Sequence, residues 1–221
     1  MTASVYVPPR RSGTKPYRRV RPTSSAPHPI AIHEAGCGRR GEVEAYLESA
    51  YARAFGGRIR RHYPILMSVQ DAQGAILGAV GFRLAETAPL FLEQYLDEPV
   101  ELAIARSLRT PVARGNIAEI GNLACGGPGL SLLLFLSLAA HLHDVGRTHA
   151  VATATRQLRR GFARVGFDTH ALSTAAPQRL ADGGTDWGDY YDRDPVVLAG
   201  AITPALPLLS SLVEHRPEES L

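Results

Sequence analysis

The chain has 221 residues, 45% of them hydrophobic and 20% charged, and its formal net charge is +3. This composition suits one globular domain and excludes wholesale disorder and fibrous repeats. The first 30 residues contain six basic residues and no acidic one, which leaves 3 − 6 = −3 for the rest. The positive charge therefore belongs to a tail, and nothing in the domain's charge indicates nucleic-acid binding.

Two terminal segments differ from the rest in composition. Residues 1–30 are rich in Pro, Arg, Ser and Thr, which predicts a flexible basic arm, and residues 206–221 are assigned to a C-terminal tail. The folded domain is predicted over residues 31–205. The arm lacks the apolar core of a secretory signal, and the longest apolar stretch, Leu130–Ala140, is shorter than the roughly 20 residues that span a bilayer. We therefore expect a cytoplasmic protein with no membrane span.

Hydrophobic periodicity predicts the elements in chain order. An amphipathic helix runs from Val43 to Phe55 and ends at the pair Gly56-Gly57, as a C-cap would. The apolar segments Pro64–Val69 and Ala75–Arg83 flank a turn and predict a hairpin. The later predicted elements are a helix (Pro99–Leu108), a strand (Asn116–Ala124), a glycine turn (Gly126–Gly129) with an apolar helix, a strand (Thr148–Thr155), a basic helix (Arg156–Val165, closed by Gly166) and a strand (Val196–Ile202).

This order predicts an α/β (α+β) domain with a mixed, mostly antiparallel sheet flanked by helices, the plan of the GCN5-related N-acyltransferases. Three blocks sharpen the prediction, with Pro195 and Ala199-Gly200 behind them: Phe91–Asp97, Glu119–Ala124 and Trp187–Tyr191. They resemble the thermostable hemolysin family over roughly Glu42–Gly200. The resemblance implies a relationship to acetyltransferases and to acyl-homoserine lactone synthases, which take acyl chains from acyl-carrier protein.

Glu119 is the candidate general base for aminolysis of a thioester, which needs a group that removes the amine's proton. It lies in an otherwise apolar strand, where burial raises the pKa of a carboxylate. The resemblance supports the choice, because acyl-homoserine lactone synthases carry a glutamate on the corresponding strand, although their next residues differ. The alternative is that Glu119 pairs with an arginine at a sheet edge.

Asn122 is the second candidate catalytic residue. Strict alternation places it on the opposite face from Glu119, but a bulge at Gly121 would return its amide to that side. The bulge would also splay the strand and expose backbone N–H groups near Leu123 and Cys125 to the thioester carbonyl. The alternative is that Gly121 serves close packing.

The glycine turn before the apolar helix is the candidate phosphopantetheine site, because glycines permit close approach and helix N-terminal N–H groups attract phosphate. Its predicted residues are Leu123, Cys125, Gly126, Gly127 and Gly129. Acetyltransferases usually have Arg or Gln, two spacers, Gly, one spacer, then Gly or Ala. Ala124 occupies the first place here, which weakens the case for coenzyme A. The alternative is a plain turn.

The candidate substrate-binding residues come from the other two blocks. Glu93, Tyr95 and Asp97 alternate along a segment taken as extended, and an acidic pair suits a cationic amine, with a solvated edge as the alternative. Trp187, Tyr190 and Tyr191 are candidates for an acyl or acceptor pocket, although aromatic residues at such a position are more often core.

Cysteine and histidine chemistry carries less weight. Cys37 and Cys125 are the only cysteines and are expected to be free thiols, too few for a disulfide framework. The alternative for Cys125 is an acyl-accepting nucleophile whose pKa is lowered at a helix start, but the sequence places no histidine beside it. His141, His143 and Asp144 do not share a helical face, so no metal site is expected.

The sequence thus predicts an N-acyltransferase that moves an acyl group from a thioester to an amino-acid-like amine, in natural-product or signal biosynthesis. No permanently bound cofactor is expected, and the acyl-phosphopantetheine thioester is a co-substrate. An acidic acyl-carrier or peptidyl-carrier protein is the favoured donor, received by the arm and by the basic face of Arg156, Arg159, Arg160 and Arg164, with acyl-coenzyme A as the alternative donor. The rival interpretations are a membrane-active, hemolysin-like protein and a non-catalytic binding module.

Overall fold

The computed structural model describes residues 28–202, with the exception of residues 37, 128, 165 and 166 and of the side chain of Arg164. The strands are β1 (Ile30–His33), β2 (Ile65–Gln70), β3 (Ile76–Leu84), β4 (Ile117–Cys125), β5 (His149–Ala154), β6 (His170–Thr174) and β7 (Val196–Ala201). The helices are α1 (Arg40–Phe55), α2 (Val100–Leu108), α3 (Leu130–Asp144) and α4 (Arg156–Arg164). Short 3-10 helices lie in the connections.

The strands form one seven-stranded sheet in the order β1-β2-β3-β4-β5-β7-β6. The neighbours β4 and β5 are parallel, and the other described pairs are antiparallel. Helices α1 and α2 pack on one face through Val43, Leu47 and Ile104, and α3 and α4 pack on the other through Leu138 and Leu158. The predicted mixed sheet flanked by helices is confirmed.

Local sequence accounts for the elements that were predicted. Helix α1 ends where Gly56 adopts a left-handed conformation (φ 66°), the predicted C-cap. The β2–β3 hairpin closes through a turn in which the Asp71 carboxylate accepts bonds from the N–H groups of Gln73 and Ala75. The basic helix follows β5 directly and is described as far as Arg164, so the predicted closure at Gly166 lies outside the described residues.

Two edge strands were missed. The sequence predicts Ile30 as part of the arm, but β1 starts there, and β6 lies between α4 and β7, where the sequence predicts no strand. The predictions for residues 1–27 of the arm and for the tail at 206–221 lie outside the described residues. No helix in the described part of the chain is long and apolar enough to cross a membrane.

Candidate functional site

The centre of the sheet opens where β4 and β5 stop pairing. Their parallel register runs from Ile117↔His149 to Ile120↔Ala152, although β4 continues to Cys125. A bulge lies just beyond this point. On the β3 side, Gly81 pairs with Gly121 and Ala79 pairs with Ala124, so two β4 residues lie opposite a single β3 residue. The predicted bulge is therefore present.

The bulge reverses the alternation of side chains along β4. Ile117 packs in the core on the α1 side, and Ala118 packs in the core on the α3 side. Leu123 would share the face of Ile117 in a regular strand, but it packs on the α3 side, and Ala124 lies on the α1 side. The strand thus presents different residues before and after its point of divergence from β5.

Gly121 also serves close packing, the alternative interpretation of this residue. A Cβ atom at Gly121 would lie 2.4 Å from the Tyr63 ring, and one at the paired Gly81 would lie 2.7 Å from the Tyr63 Cβ. The Tyr63 side chain therefore packs closely against a pair of glycines at the centre of the sheet. Arg83 places its guanidinium 4.9 Å from the centroid of this ring. Sequence analysis missed both residues, because their proximity depends on the strand register.

Glu119 lies beneath these two side chains, with 1% of its surface exposed. Its Oε2 accepts a bond from the Phe91 N–H at 3.0 Å, and its Oε1 accepts one from the Leu92 N–H at 2.9 Å. The Tyr63 side chain also hydrogen-bonds the carboxylate, and the Arg83 Nε lies 3.4 Å from Oε2. The predicted alternative, pairing with an arginine, thus describes one of its contacts.

The pKa of Glu119 is raised, because burial penalises its charged form. Arg83, the two backbone N–H groups and Tyr63 oppose that shift. The direction is the one expected of a candidate base. Its catalytic role stays a prediction.

The segment whose N–H groups bind the Glu119 carboxylate is a 3-10 helix, Phe91–Tyr95. The predicted extended geometry of this block is therefore wrong. Glu93 accepts bonds from the Leu90 and Val100 N–H groups and forms a two-point ion pair with Arg114 at 2.7 and 2.8 Å. These donors lower the pKa of Glu93 to about 2. Glu93 thereby fastens the 3-10 helix whose N–H groups hold Glu119.

The other substrate-binding candidates are dispersed. Asp97 is exposed and pairs with Arg179 at 2.7 Å, so Glu93, Tyr95 and Asp97 do not share one side. The Tyr95 hydroxyl lies 2.6 Å from that of Tyr191, inside the α1-side core. The acceptor role of this set stays a prediction, and each of its two carboxylates already has an arginine partner.

The three aromatic candidates of the last block lie together at that core. Trp187 and Tyr190 are buried, with ring centroids 5.4 Å apart, and Tyr191 packs at the edge. The Tyr190 hydroxyl donates to the carbonyl of Thr153, one residue beyond the last β5 residue that pairs with β4. Their predicted pocket role is untested. In the structure their rings are core contacts.

Asn122 lies at the bulge with φ 48° and no exposed surface. Among the described residues, neither its Oδ1 nor its Nδ2 has a hydrogen-bond partner. Asn122 and Glu119 thus lie on the same strand, but only the Glu119 side chain has hydrogen-bond partners among the described residues.

The glycine turn joins the end of β4 to α3. The Gly126 N–H donates to the Leu77 carbonyl at 2.9 Å, and Gly129 precedes α3 with φ 85°. Cys125 is buried, and burial raises the pKa of its thiol to about 12, which argues against the alternative of an acyl-accepting nucleophile with a lowered pKa. Pro128 and Cys37 lie outside the described residues. No metal-binding group of three or more acidic, histidine or cysteine residues occurs in the described part of the chain.

An apolar cavity of about 90 Å³ lies on the α3 side, partly open to solvent. Ile120 and Ala152, the last paired residues of β4 and β5, belong to its wall. Three phenylalanines in mutual edge contact, Phe135, Phe162 and Phe167, also line it. Sequence analysis did not select these residues, because apolar residues that line a cavity are indistinguishable in the sequence from ordinary core.

The basic helix α4 begins immediately after β5, beside the opening. Arg156 and Arg159 both pair with Asp194, at 3.4 and 2.6 Å, whereas Arg160 is exposed and has no acidic partner among the described residues. The predicted basic face is therefore partly neutralised.

Solved structures of acyl-homoserine lactone synthases have a fold similar to that of this chain. BjaI with SAM and isopentyl-CoA matches with a TM-score of 0.57 and 16% identity, over 84% of this chain and 89% of that chain. TofI with an inhibitor and MTA matches at 0.54 and 16%, over 80% and 96%. LasI matches at 0.52 and 15%, over 81% and 95%. At these identities the likeness establishes the fold alone.

No curated protein sequence matches the chain significantly. The family model for thermostable hemolysin matches residues 33–206, well over half of the chain and including strands β2 to β7, the bulge and the 3-10 helix at Glu93. The chain belongs to the thermostable hemolysin family.

Proposed function

We propose that this protein transfers an acyl group from a phosphopantetheine thioester to the amine of an amino-acid-like acceptor. The observation that carries the proposal is the divergence of β4 from β5 after Ile120↔Ala152, with the bulge directly beyond it. Backbone released from a parallel neighbour offers hydrogen-bonding groups to an extended ligand, as an added strand would use them. A pantetheine arm is such a ligand, because it is extended and contains two amides.

The two ends of the opening suit the two ends of the donor. At one end, the turn at Gly126 and Gly127 leads to the N-terminus of α3, which favours phosphate. At the other end, the apolar cavity starts at Ile120 and Ala152 and suits the acyl chain. We assign the first to the phosphopantetheine phosphate and the second to the acyl group.

Glu119 is the proposed base. It follows Ile117 by two residues before the bulge, so it belongs to the α1 side of β4, whereas the cavity lies on the α3 side. The amine nitrogen attacks the thioester carbonyl carbon, the C–N bond forms, and the C–S bond breaks. The proton lost by the amine passes to the Glu119 carboxylate, and the departing thiolate takes up a proton from solvent. Burial supports this role by raising the pKa of Glu119.

The acceptor class rests on the relatives' fold and on the chemistry of the site. BjaI is described with SAM, which carries an amino-acid group, and with an acyl-coenzyme A. For this chain we propose an amine acceptor of the same general kind. BjaI and MesI are described as coenzyme A-dependent, whereas Ala124 and the exposed Arg160 favour a carrier protein here.

The direct test is mass spectrometry of the protein incubated with acyl-coenzyme A, acyl-carrier protein and a panel of amino acids and their derivatives. The expected result is an N-acyl product with release of the free thiol. Leakage from liposomes at low protein concentration, without any thioester, would instead favour a membrane-active protein. Ligand binding without any product would indicate a non-catalytic module.

A further inference from the structure

Asn122 is unusual among the residues with a left-handed backbone. The other two non-glycine residues with positive φ, Arg109 and Asp194, are exposed, and their side chains reach solvent. Asn122 instead holds a carboxamide with no exposed surface and no partner for either polar atom among the described residues. An unsatisfied buried polar group costs roughly 1–3 kcal/mol. The unsatisfied carboxamide therefore lowers the stability of the folded protein.

Backbone conformation alone does not explain the residue. Glycine adopts φ near 48° at no steric cost and buries no amide, and two glycines, Gly81 and Gly121, already lie beside this position. Asparagine tolerates the conformation but adds an acceptor and two donors. A ligand that satisfies both atoms would account for the choice of asparagine.

We infer that the Asn122 carboxamide binds an amide of the donor's pantetheine arm. Nδ2 donates to the amide oxygen of the arm, and the amide N–H of the arm donates to Oδ1. This inference rests on the proposed function, and it assigns to one side chain the recognition of the arm rather than of the acyl chain or the acceptor.

Chemistry and position both favour this partner. A secondary amide offers one donor and one acceptor, which matches the two unsatisfied atoms, whereas an isolated ammonium or carboxylate would satisfy only one. The residues next to Asn122 along the bulge, Gly121, Leu123 and the facing Val80, are all uncharged, which suits a neutral amide. The residue also lies two positions beyond the last β4–β5 pair, on the stretch proposed for the arm.

The test separates arm recognition from acceptor recognition. Free pantetheine is titrated by calorimetry into the wild type, Asn122→Gly and Arg109→Gly. Arg109→Gly is the matched control, because it makes the same change at a left-handed residue outside the opening. We expect Asn122→Gly to weaken binding by about 10-fold, the scale of two lost neutral hydrogen bonds, and Arg109→Gly to leave it unchanged. Asn122→Asp, which keeps the shape but loses the N–H donor, should also weaken it.

Kinetics then use two thioesters with the same acyl chain, acyl-pantetheine and an S-ethyl thioester that contains no amide. The expected loss of kcat/KM in Asn122→Gly appears with acyl-pantetheine and disappears with the S-ethyl thioester. An equal loss with both, accompanied by a higher KM for the amine, would place Asn122 at the acceptor and overturn the inference. Wild-type pantetheine affinity in Asn122→Gly would also overturn it. Calorimetry decides this point even if no thioester is turned over, in which case the proposed function fails separately.

Discussion

Glu119 and Asn122 are two buried polar side chains on the same strand, three residues apart on either side of the point where the pairing with β5 ends. The Glu119 carboxylate is bound by two backbone N–H groups and Tyr63 and lies near Arg83. The Asn122 carboxamide has no partner within the described residues. The buried polar side chain on the paired part of β4 thus has hydrogen-bond partners within the protein, whereas the one on the diverging part has none among the described residues. Recognition of the arm is therefore expected at the bulge, and proton transfer at the paired part of β4 before it.

The largest expected effect comes from Glu119→Gln. If Glu119 is the base, loss of the carboxylate lowers the acyl-transfer rate by roughly 100-fold or more. The amide would also direct an N–H donor at the N–H of Phe91 or Leu92, so the melting temperature should fall as well. Single-turnover kinetics at neutral pH and thermal unfolding measure the two effects.

Glu93→Gln is the matched control, because it loosens the same 3-10 helix without removing the proposed base. We expect a smaller loss of rate than in Glu119→Gln. If the two variants lose rate equally, Glu119 acts by fixing this segment and not by taking the proton. Turnover that is unchanged in Glu119→Gln would remove Glu119 from the mechanism.

Much of this strand was predictable from local sequence. Alternating apolar residues predicted β4, and a glycine inside the strand predicted its bulge, because both signals depend on near neighbours. The partners of Glu119 were not predictable. Arg83 faces Glu119 only through the β3–β4 register, and the Phe91 and Leu92 N–H groups approach from a segment 28 and 27 residues away, respectively.

The errors have the same origin. Alternation predicts an extended segment at Glu93, but the Glu93 carboxylate accepts a hydrogen bond from the Leu90 N–H and closes a 3-10 turn that alternation does not reveal. β1 and β6 have only four and five residues, and each is defined by pairing with one distant strand. Short edge strands depend on the sheet they join more than on their own propensity.

A second prediction concerns the packing that separates the two polar residues. Gly121→Ala would place a Cβ atom against the Tyr63 ring, so we expect a loss of about 1–3 kcal/mol in the free energy of unfolding. Gly161→Ala is the control, because that helical glycine has no atom within 4 Å of its added Cβ, and it should stabilise α4 by up to about 1 kcal/mol. Equal stability of the two variants in urea would show that Tyr63 does not rest on the glycine pair.

A third prediction uses the opposite pKa shifts of two carboxylates. The pKa of Glu93 is lowered from 4.5 to about 2, so its stabilisation is present above pH 4.5 and is lost as the pH falls toward 2. The pKa of Glu119 is raised in the folded protein. Its contribution to stability is therefore present below the pKa of the unfolded chain and is lost as the pH rises through the pKa of the folded protein. In urea titrations, the stability gap between wild type and Glu93→Gln should shrink by about 2 kcal/mol from pH 6 to pH 2.5. A stability gap that does not change with pH would contradict the ion pair between Arg114 and Glu93.

The smallest expected effect lies outside the strand, at the surface that would receive the donor. Arg160 on α4 is exposed and has no acidic partner in the described part of the chain, so it contributes to encounter with an acidic carrier protein more than to affinity. Arg160→Glu should lower kcat/KM for acyl-carrier protein a few-fold at low salt and change that for acyl-coenzyme A less. Arg53→Glu, the same reversal on α1 across the sheet, is the control.

For the wild type, kcat/KM with the carrier protein should fall as ionic strength rises beyond about 0.1 M, where the Debye length is about 10 Å. If both donors serve equally and salt has no effect, the carrier-protein assignment fails, while recognition of the arm at Asn122 is untouched because both donors carry the same pantetheine.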